Sequence, residues 1–531
     1  MKKKSAIPLP EKRVSIKKSG NYRYVYYVQS YYVTKNGTRT HKDVAIGKLN
    51  EEDPTTFFPN QNYFELFTSS QPSEPEESSF KRAGFTCFLR ELSKHLSLDS
   101  ILCQVFEDAG EEILSLAYYM LAQGNTMTYL DDYYETHYNP HLCSPSEKKL
   151  GKLYALIEKG KRWSFFDLWR QATVREGDYV AYDVTSISTY GQDIELAGRG
   201  YNRDHENLPQ VNVGVFYSQS AQLPIFYELY DGNIPDKTHL VDMIQLAEKL
   251  EGKLVTIVMD KGFLTSDNIN FMMAHDIPFL MAFPQSQKLY RSWLLEYGQE
   301  VEQFAHYMGD LHCFGTQGPL TINDWELTGS IYLDMDKRGV DIVSLDSELN
   351  QREETLQAQV HKKMRKKKDP YFEVKVSDEK YITGYERKEE SVNEAFKLCG
   401  LFGLLTNVAD LDAEEALKMY RRRDVVESHY DSMKNQLEFY RLKTHHQQST
   451  EAKFFIGFIA EIILAHIYRM FQTCELLPVR TFKSLVIELD KIYRIERSDG
   501  QVRANCLNRK QKDILELFDI EAEGFIRSIC E

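Results

Sequence analysis

Two aspartates in the middle of the chain each follow a short apolar run that is typical of a buried strand. Asp183 stands in Tyr182-Asp-Val-Thr-Ser, and Asp260 stands in Val258-Met-Asp-Lys-Gly-Phe. Two adjacent carboxylates repel each other unless a cation lies between them, and their hard oxygen ligands suit Mg²⁺ or Mn²⁺. Either aspartate alone is also compatible with a turn, as Asp260 before Gly262 illustrates. The pair indicates a metal site only if the fold brings both residues together.

A carboxylate further along the chain favours the metal-site interpretation. The segment 413–437 has helical periodicity, and at roughly 100° per residue a stripe about 60° wide carries Tyr420, Arg423, Glu427 and Lys434. An apolar face lies beside this stripe, so Glu427 is predicted to point from the border of the core towards the aspartates. The alternative is a surface helix with an i,i+4 ion pair between Arg423 and Glu427.

The order of the predicted elements sets where these residues lie. Strands are predicted at 179–184, 211–217, 225–230, 254–259 and 278–282, with helices at 238–250 and 266–275. The order βββαβαβ predicts an α/β, ribonuclease-H-like core that resumes with a strand at 401–407 and the helix 413–437. In such a sheet the first and fourth strands are neighbours, so Asp183 and Asp260 are expected side by side at one edge.

The flanking segments differ from this core in composition. Tyrosines and β-branched residues dominate the N-terminus, a Pro, Ser and Glu-rich stretch follows, and helical periodicity begins near residue 80. The predicted organisation is an N-terminal β module 1–68, a linker 69–79, a helical domain 80–172, the core in two parts (173–285 and 400–470), a mostly β insertion 286–399 and a C-terminal helical region 471–531.

Overall charge does not identify the partner. The chain has 531 residues and a net charge of −14, yet basic clusters occur at 2–4, 12–18, 362–368 and 421–423, and a local cluster can bind phosphate. The apolar run 454–468 is shorter than a bilayer span and contains Glu461 and His466, which favours a buried helix, no membrane and a cytoplasmic location. The eight scattered cysteines lack zinc-ligand spacing.

Several motifs together resemble a known family. Tyr420-x-x-Arg423-x-x-x-Glu427-x-x-x-x-x-x-Lys434 matches the Tyr-Arg-Glu-Lys signature of bacterial insertion-sequence transposases of the DDE type. Further matching pieces are Asp183-Val-Thr, Gly200-Tyr-Asn-Arg-Asp-His, Leu208-Pro-Gln, Leu223-Pro, Gly232-Asn, Asp236, Asp260-Lys-Gly-Phe and Leu404-Leu-Thr-Asn. The resemblance covers about residues 175–470.

The resemblance implies roles for individual residues. Asp183, Asp260 and Glu427 would form the catalytic, metal-binding triad, holding two Mg²⁺ ions for which Mn²⁺ can substitute. Tyr420, Arg423 and Lys434 would contact DNA phosphates, and Thr185 would line the site. Phe402 is the aromatic residue nearest to a position that stacks on a flipped base in some relatives.

The expected function is metal-dependent cleavage at the ends of an insertion sequence, followed by strand transfer into target DNA. The expected partners are the element's terminal inverted repeats, target DNA and a second copy in a homodimeric synaptic complex. End recognition is expected in residues 1–170, with 22–32 as a β-sheet DNA reader. The alternatives are a stand-alone metal-dependent nuclease and a transposase-derived DNA-binding regulator with vestigial carboxylates.

Overall fold

The computed structural model describes residues 6–20, 22–34, 38–67, 79–139, 147–175, 177–203, 205–249, 255–363, 369–474, 478–497 and 499–531. Most of the predicted linker 69–79 and the basic cluster 2–4 lie outside these residues, as does most of the cluster 362–368. The chain divides into two units, Met1–Phe80 with Ile495–Arg503 and Lys81–Arg494 with Ala504–Glu531.

The first unit contains an antiparallel sheet of five strands in the order β1-β5-β4-β3-β2. Its elements are β1 (Ile7–Pro8), β2 (Val14–Ser19), β3 (Tyr22–Val33), β4 (Arg39–Leu49), β5 (Thr56–Pro59) and α1 (Gln61–Phe67). Val25, Ile46, Leu49 and Phe57 form its buried core. Gly47 is needed where β4 pairs with β5, because a Cβ atom there would lie 2.3 Å from the carbonyl oxygen of Phe58.

The second unit begins with helices whose apolar faces join one large core. After β6 (Ser79–Arg82), these are α2 (Gly84–His95), α3 (Leu98–Phe106), α4 (Ala109–Gln123), α5 (Leu130–Thr136), α6 (Glu147–Leu156) and α7 (Lys159–Thr173). The indole N–H of Trp169 on α7 donates to the carbonyl of Pro224 at 2.8 Å, so this helix packs on the following sheet.

Five strands and two helices follow in the predicted order. They are β7 (Tyr179–Ser188), β8 (Gln210–Ser218), β9 (Leu223–Asp231), α8 (Asp236–Lys249), β10 (Thr256–Met259), α9 (Ser266–Ala274) and β11 (Phe279–Ala282). β7, β8 and β9 form an antiparallel meander, whereas β10 is parallel to both β7 and β11. The protein is therefore a mixed α/β structure.

The prediction of a mostly β segment at 286–399 is wrong, because three helices accompany its strands. The elements are α10 (Lys288–Val301), β12 (Tyr307–Met308), β13 (Cys313–Ile322), β14 (Trp325–Asp334), α11 (Met335–Gln357), β15 (Phe372–Val376), β16 (Ile382–Arg387) and α12 (Glu389–Leu398). The sequence predicts a charged helix around 353–368 in this segment, but α11 starts at Met335, where the Asp334 side chain caps it by accepting from the N–H of Lys337.

The chain then returns to the main sheet. β17 (Leu401–Thr406) pairs antiparallel with β11 and with β14, giving nine strands in the order β12-β13-β14-β17-β11-β10-β7-β8-β9. Thus β12 to β14 of the inserted segment extend the core sheet instead of forming a separate layer.

The single helix predicted over 413–437 is two helices, α13 (Ala413–Arg421) and α14 (Asp424–Asn435). At the junction the N–H of Arg423 bonds to the carbonyl of Tyr420 at 3.0 Å, and that of Val426 to the carbonyl of Arg423 at 2.8 Å. These i→i−3 bonds replace the i→i−4 ladder and end the first helix. A single helical projection over 413–437 therefore does not show which side chains share a face on the two sides of Arg423.

The last helices are α15 (Gln447–Thr473), α16 (Phe482–Leu489), α17 (Arg509–Leu517) and α18 (Ala522–Cys530). Two short strands, β18 (Tyr493–Glu496) and β19 (Val502–Ala504), precede α17, so the C-terminal region predicted as helical also contains strands. By length and composition α15 is able to cross a membrane, but 78% of its most apolar window is buried inside the protein.

Candidate active site

Asp183 and Asp260 lie at the same level on neighbouring strands. β7 and β10 are parallel with Val258 opposite Ala181, and two residues further on this register sets Asp260 beside Asp183. Adjacent strands are about 4.8 Å apart. Asp183 is the fifth residue of β7, which continues to Ser188 and does not end at the aspartate as predicted.

The environment of Asp183 is crowded and electrostatically mixed. The pKa of Asp183 is raised to about 6, chiefly because the carboxyl is buried. The backbone N–H of Val184 and the guanidinium groups of Arg203 and Arg423 lower this pKa, whereas Asp260 raises it. The contribution of Asp260 follows from the proximity of the two carboxylates.

Asp260 follows β10 and is held by a tyrosine from α13. The hydroxyl of Tyr420 donates to Oδ1 of Asp260 at 3.1 Å. Tyr420 was predicted to contact DNA, but in the structure its hydroxyl is hydrogen-bonded to one of the two aspartates. Burial raises the pKa of this phenol strongly, and the charge of Asp260 raises it further, so Tyr420 acts here as a neutral donor.

Arg423 links the remaining carboxylates. Its Nη2 donates to Oε1 of Glu427 at 2.9 Å, and its Nη1 lies 3.9 Å from Oδ2 of Asp183. The guanidinium carbon is 5.5 Å from the ring centre of Tyr420. Burial lowers the pKa of Arg423, but Tyr420, both aspartates and Glu427 together raise it above its usual value. One buried cation therefore experiences the field of all three predicted triad residues.

Glu427 is the least buried of the three, with 60% of its side chain exposed on α14. Among the residues that the structure describes, no group of three or more His, Cys, Asp or Glu side chains is arranged to hold a metal ion. The structure thus brings Asp183 and Asp260 together and connects Glu427 to Asp183 through Arg423. The i,i+4 ion pair considered from the sequence is also present.

The other predicted residues differ in their relation to this centre. Thr185 is buried two residues after Asp183 on β7. Lys434 lies two helical turns after Glu427 on α14. The pKa of Glu206 is lowered chiefly by its hydrogen bond with Arg441, and the charge of Lys434 also lowers it. Phe402 stacks on Tyr332 with ring centres 5.0 Å apart and, with Asp260, lines a cavity of about 770 Å³.

Three further residues support the site and were given no role from the sequence. The Arg203 Nη2 atom lies 2.7 Å from Oδ2 of Asp236, and Arg203 lowers the pKa of Asp183. The Tyr430 hydroxyl donates to the carbonyl oxygen of Asp183 at 2.7 Å and ties α14 to β7. Arg203 and Asp236 lie within the sequence motifs that carry the family resemblance. Those motifs could have identified both residues as part of the site.

One comparison with known proteins identifies a family. The family model described as "Transposase DDE domain" matches residues 175–462, more than half of the chain. No curated protein matches this chain. Among solved structures, the chain is similar to the piggyBac transposase in a synaptic complex with hairpin DNA, at 11% identity and a TM-score of 0.34, over 83% of this chain and 75% of that one. On the strength of the family match, the chain belongs to the family of transposases with a DDE domain.

Proposed function

We propose that the chain is a DDE transposase of the bacterial insertion-sequence group with the Tyr-Arg-Glu-Lys signature, and that it cleaves the ends of its element and joins them to target DNA. The observation that carries the proposal is the contact of Arg423 with two of the three carboxylates, Glu427 at 2.9 Å and Asp183 at 3.9 Å, beside the neighbouring Asp260. Three acidic residues far apart in the sequence therefore lie around one cation or beside its partner.

The strand order supports a ribonuclease-H-like core. Reading from the edge, β9-β8-β7-β10-β11 is an antiparallel meander followed by two parallel strands. With this order the central strand β7 bears Asp183 and its parallel neighbour leads into Asp260. The candidate site therefore lies at the centre of the sheet, where side chains from β7, β10 and α14 meet.

The donor set fits hard divalent cations. The three carboxylates supply oxygen ligands, and Nε of Arg423 is buried without a hydrogen-bond partner in the described chain, so this guanidinium is incompletely bonded in its present position. Asp183, Asp260 and Glu427 would hold two Mg²⁺ ions, or Mn²⁺ in their place. When bound, such ions lower the pKa of the attacking water and stabilise the leaving 3′-oxygen.

The chain's own residues position the DNA in this mechanism. The guanidinium of Arg423 leaves Asp183 and Glu427 and binds a backbone phosphate. Its planar array of N–H donors suits two parallel hydrogen bonds to phosphate oxygens. Lys434 contacts a phosphate further along α14, and Tyr420 keeps Asp260 oriented. Thr185 lines the floor of the site, and Phe402 faces the cavity beside Asp260. A homodimer would present two such sites to the paired ends.

Cleavage of a duplex that carries the element's terminal inverted repeat tests this function. Asp183→Asn, Asp260→Asn and Glu427→Gln are each expected to abolish Mg²⁺-dependent cleavage while DNA binding is retained, and Asp431→Asn on the exposed side of α14 is the matched control. Cleavage at the wild-type rate by any one of the three variants rejects the role of that carboxylate. Cleavage without joined products favours a nuclease, and binding without cleavage by the wild type favours a regulator.

A further inference from the structure

The charge of the chain is distributed very unevenly. Residues 1–50 contain twelve Lys and Arg residues and two Asp and Glu residues, a net charge of +10, although the whole chain carries −14. Seven of these cations lie within 14–49, the segment that contains β2, β3 and β4, where Asp43 is the one acidic residue. This part of the protein therefore attracts polyanions while the rest of the chain repels them.

Four of these cations gather at one end of the sheet. Lys18 lies directly opposite Arg23 across β2 and β3, and in the next row Lys17 and Lys48 flank Tyr24 on either side. Because successive side chains point to opposite faces of a sheet, Lys18 and Arg23 lie on one face of the hairpin end and Lys17 and Lys48 on the other. Lys17, Lys18 and Arg23 are exposed, and Lys48 is half-buried. Like charges placed directly opposite each other on paired strands are destabilising, so folding alone does not explain Lys18 opposite Arg23.

Tyrosines hold two of the ammonium groups in place. Nζ of Lys48 lies 3.3 Å from the ring centre of Tyr22, and Nζ of Lys17 lies 4.8 Å from that of Tyr26. Lys17 is also paired with Asp43. Because cation–π contacts restrict these long side chains before a ligand arrives, less conformational entropy is lost on binding. Each contact occupies one face of a tyrosine ring, although Tyr22 remains 49% exposed.

We infer that the end of the β2–β3 hairpin, defined by Lys17, Lys18, Arg23 and Lys48, binds the phosphate backbone of double-helical DNA independently of base sequence. This inference rests on the proposed function, which makes DNA the ligand. It assigns the hairpin end to holding the duplex, in contrast to the β-sheet reading of bases expected from the sequence. Clustered cations without a base-specific pattern favour the backbone of a duplex over unpaired bases.

The salt dependence of binding by the full-length protein tests the inference without using catalysis. Fluorescence anisotropy with a duplex of arbitrary sequence gives the slope of log K against log salt, and loss of two phosphate contacts lowers its magnitude by about 1.8. Lys18→Gln with Arg23→Gln is expected to produce this fall while the melting temperature stays level or rises, because a repulsive pair has been removed. Lys18→Arg with Arg23→Lys is expected to keep the wild-type slope.

The matched control is Lys483→Gln with Lys512→Gln, which removes two exposed charges from α16 and α17 and is expected to leave the slope unchanged. An unaltered slope in the hairpin variant, or an equal fall in the control, overturns the inference. Tighter binding of a single strand than of the duplex also overturns it. If the wild type does not cleave DNA but the hairpin variant still shows the smaller salt slope of binding, the proposed function fails and the inferred binding surface stands.

Discussion

Nη1 of Arg423 lies 3.9 Å from Oδ2 of Asp183, on a guanidinium whose Nη2 is bonded to Glu427. Arg423 therefore occupies the space between two carboxylates that the proposed mechanism brings onto shared ions. Under the proposed mechanism, metal ions would compete with this guanidinium for the same oxygen atoms. Bound DNA would relieve the competition, because a phosphate offers Arg423 another anionic partner.

Replacement of Arg423 by glutamine is expected to raise the affinity for Mn²⁺ in the absence of DNA and to lower the rate of DNA cleavage. Loss of the competing charge is expected to strengthen metal binding about tenfold, equivalent to about 1.4 kcal/mol. Isothermal titration with Mn²⁺ measures the affinity. Arg421→Gln, which removes the neighbouring charge beside Asp334, is the control. Weaker metal binding by the Arg423 variant contradicts the competition.

Metal binding is expected to depend on pH with a midpoint near the pKa of Asp183, which is about 6. Protonation of this carboxyl removes a ligand charge. The affinity for Mn²⁺ is therefore expected to be highest above pH 6 and to fall as the pH decreases through 6. Mn²⁺ titrations between pH 5 and pH 7.5 measure this dependence. Affinity that is constant from pH 7.5 to pH 5 and falls only near the usual range of an aspartate contradicts it.

The buried pair His429–Glu461 is expected to fix the helix that carries Glu427. Nδ1 of His429 lies 3.1 Å from Oε1 of Glu461, with both side chains 1% exposed. Burial raises the pKa of Glu461, and His429 opposes that rise. Glu461→Ala leaves an unpartnered polar group and is expected to cost roughly 3–5 kcal/mol of stability, whereas the double variant His429→Leu with Glu461→Leu recovers most of it.

Chemical denaturation of the two variants and of Asp431→Ala, an exposed position on the same helix, measures these costs. The single variant is also expected to weaken Mn²⁺ binding, because α14 loses its attachment to α15. A Glu461→Ala protein as stable as the wild type shows that the pair does not hold the helix.

The sequence predicted the core elements well where periodicity was strong and local. The strands 179–184, 211–217 and 225–230 occur within β7, β8 and β9, since their alternating and continuous apolar residues fit only a buried sheet. The break between α13 and α14 was not predictable, because Arg422 and Arg423 are good helix formers. Tertiary contacts of Arg423 with Asp183 accompany the local tightening.

The roles of Tyr420 and Arg423 were likewise beyond the sequence. A helical projection shows which residues share a face, but not that Tyr420 donates to Asp260 or that Arg423 neutralises the carboxylates. The helices α10 and α12 of the inserted segment were not predicted, and the charged helix α11 was predicted to begin near 353 and not at 335.

The central claim is that Asp183, Asp260 and Glu427 hold shared divalent ions, and Mn²⁺ titration of the three single variants tests it most directly. Isothermal titration of Asp183→Asn, Asp260→Asn and Glu427→Gln, each with duplex DNA present, is expected to show binding weakened by about tenfold or more, equivalent to at least about 1.4 kcal/mol. Asp431→Asn is expected to bind like the wild type. Wild-type affinity in the Glu427→Gln protein contradicts the account.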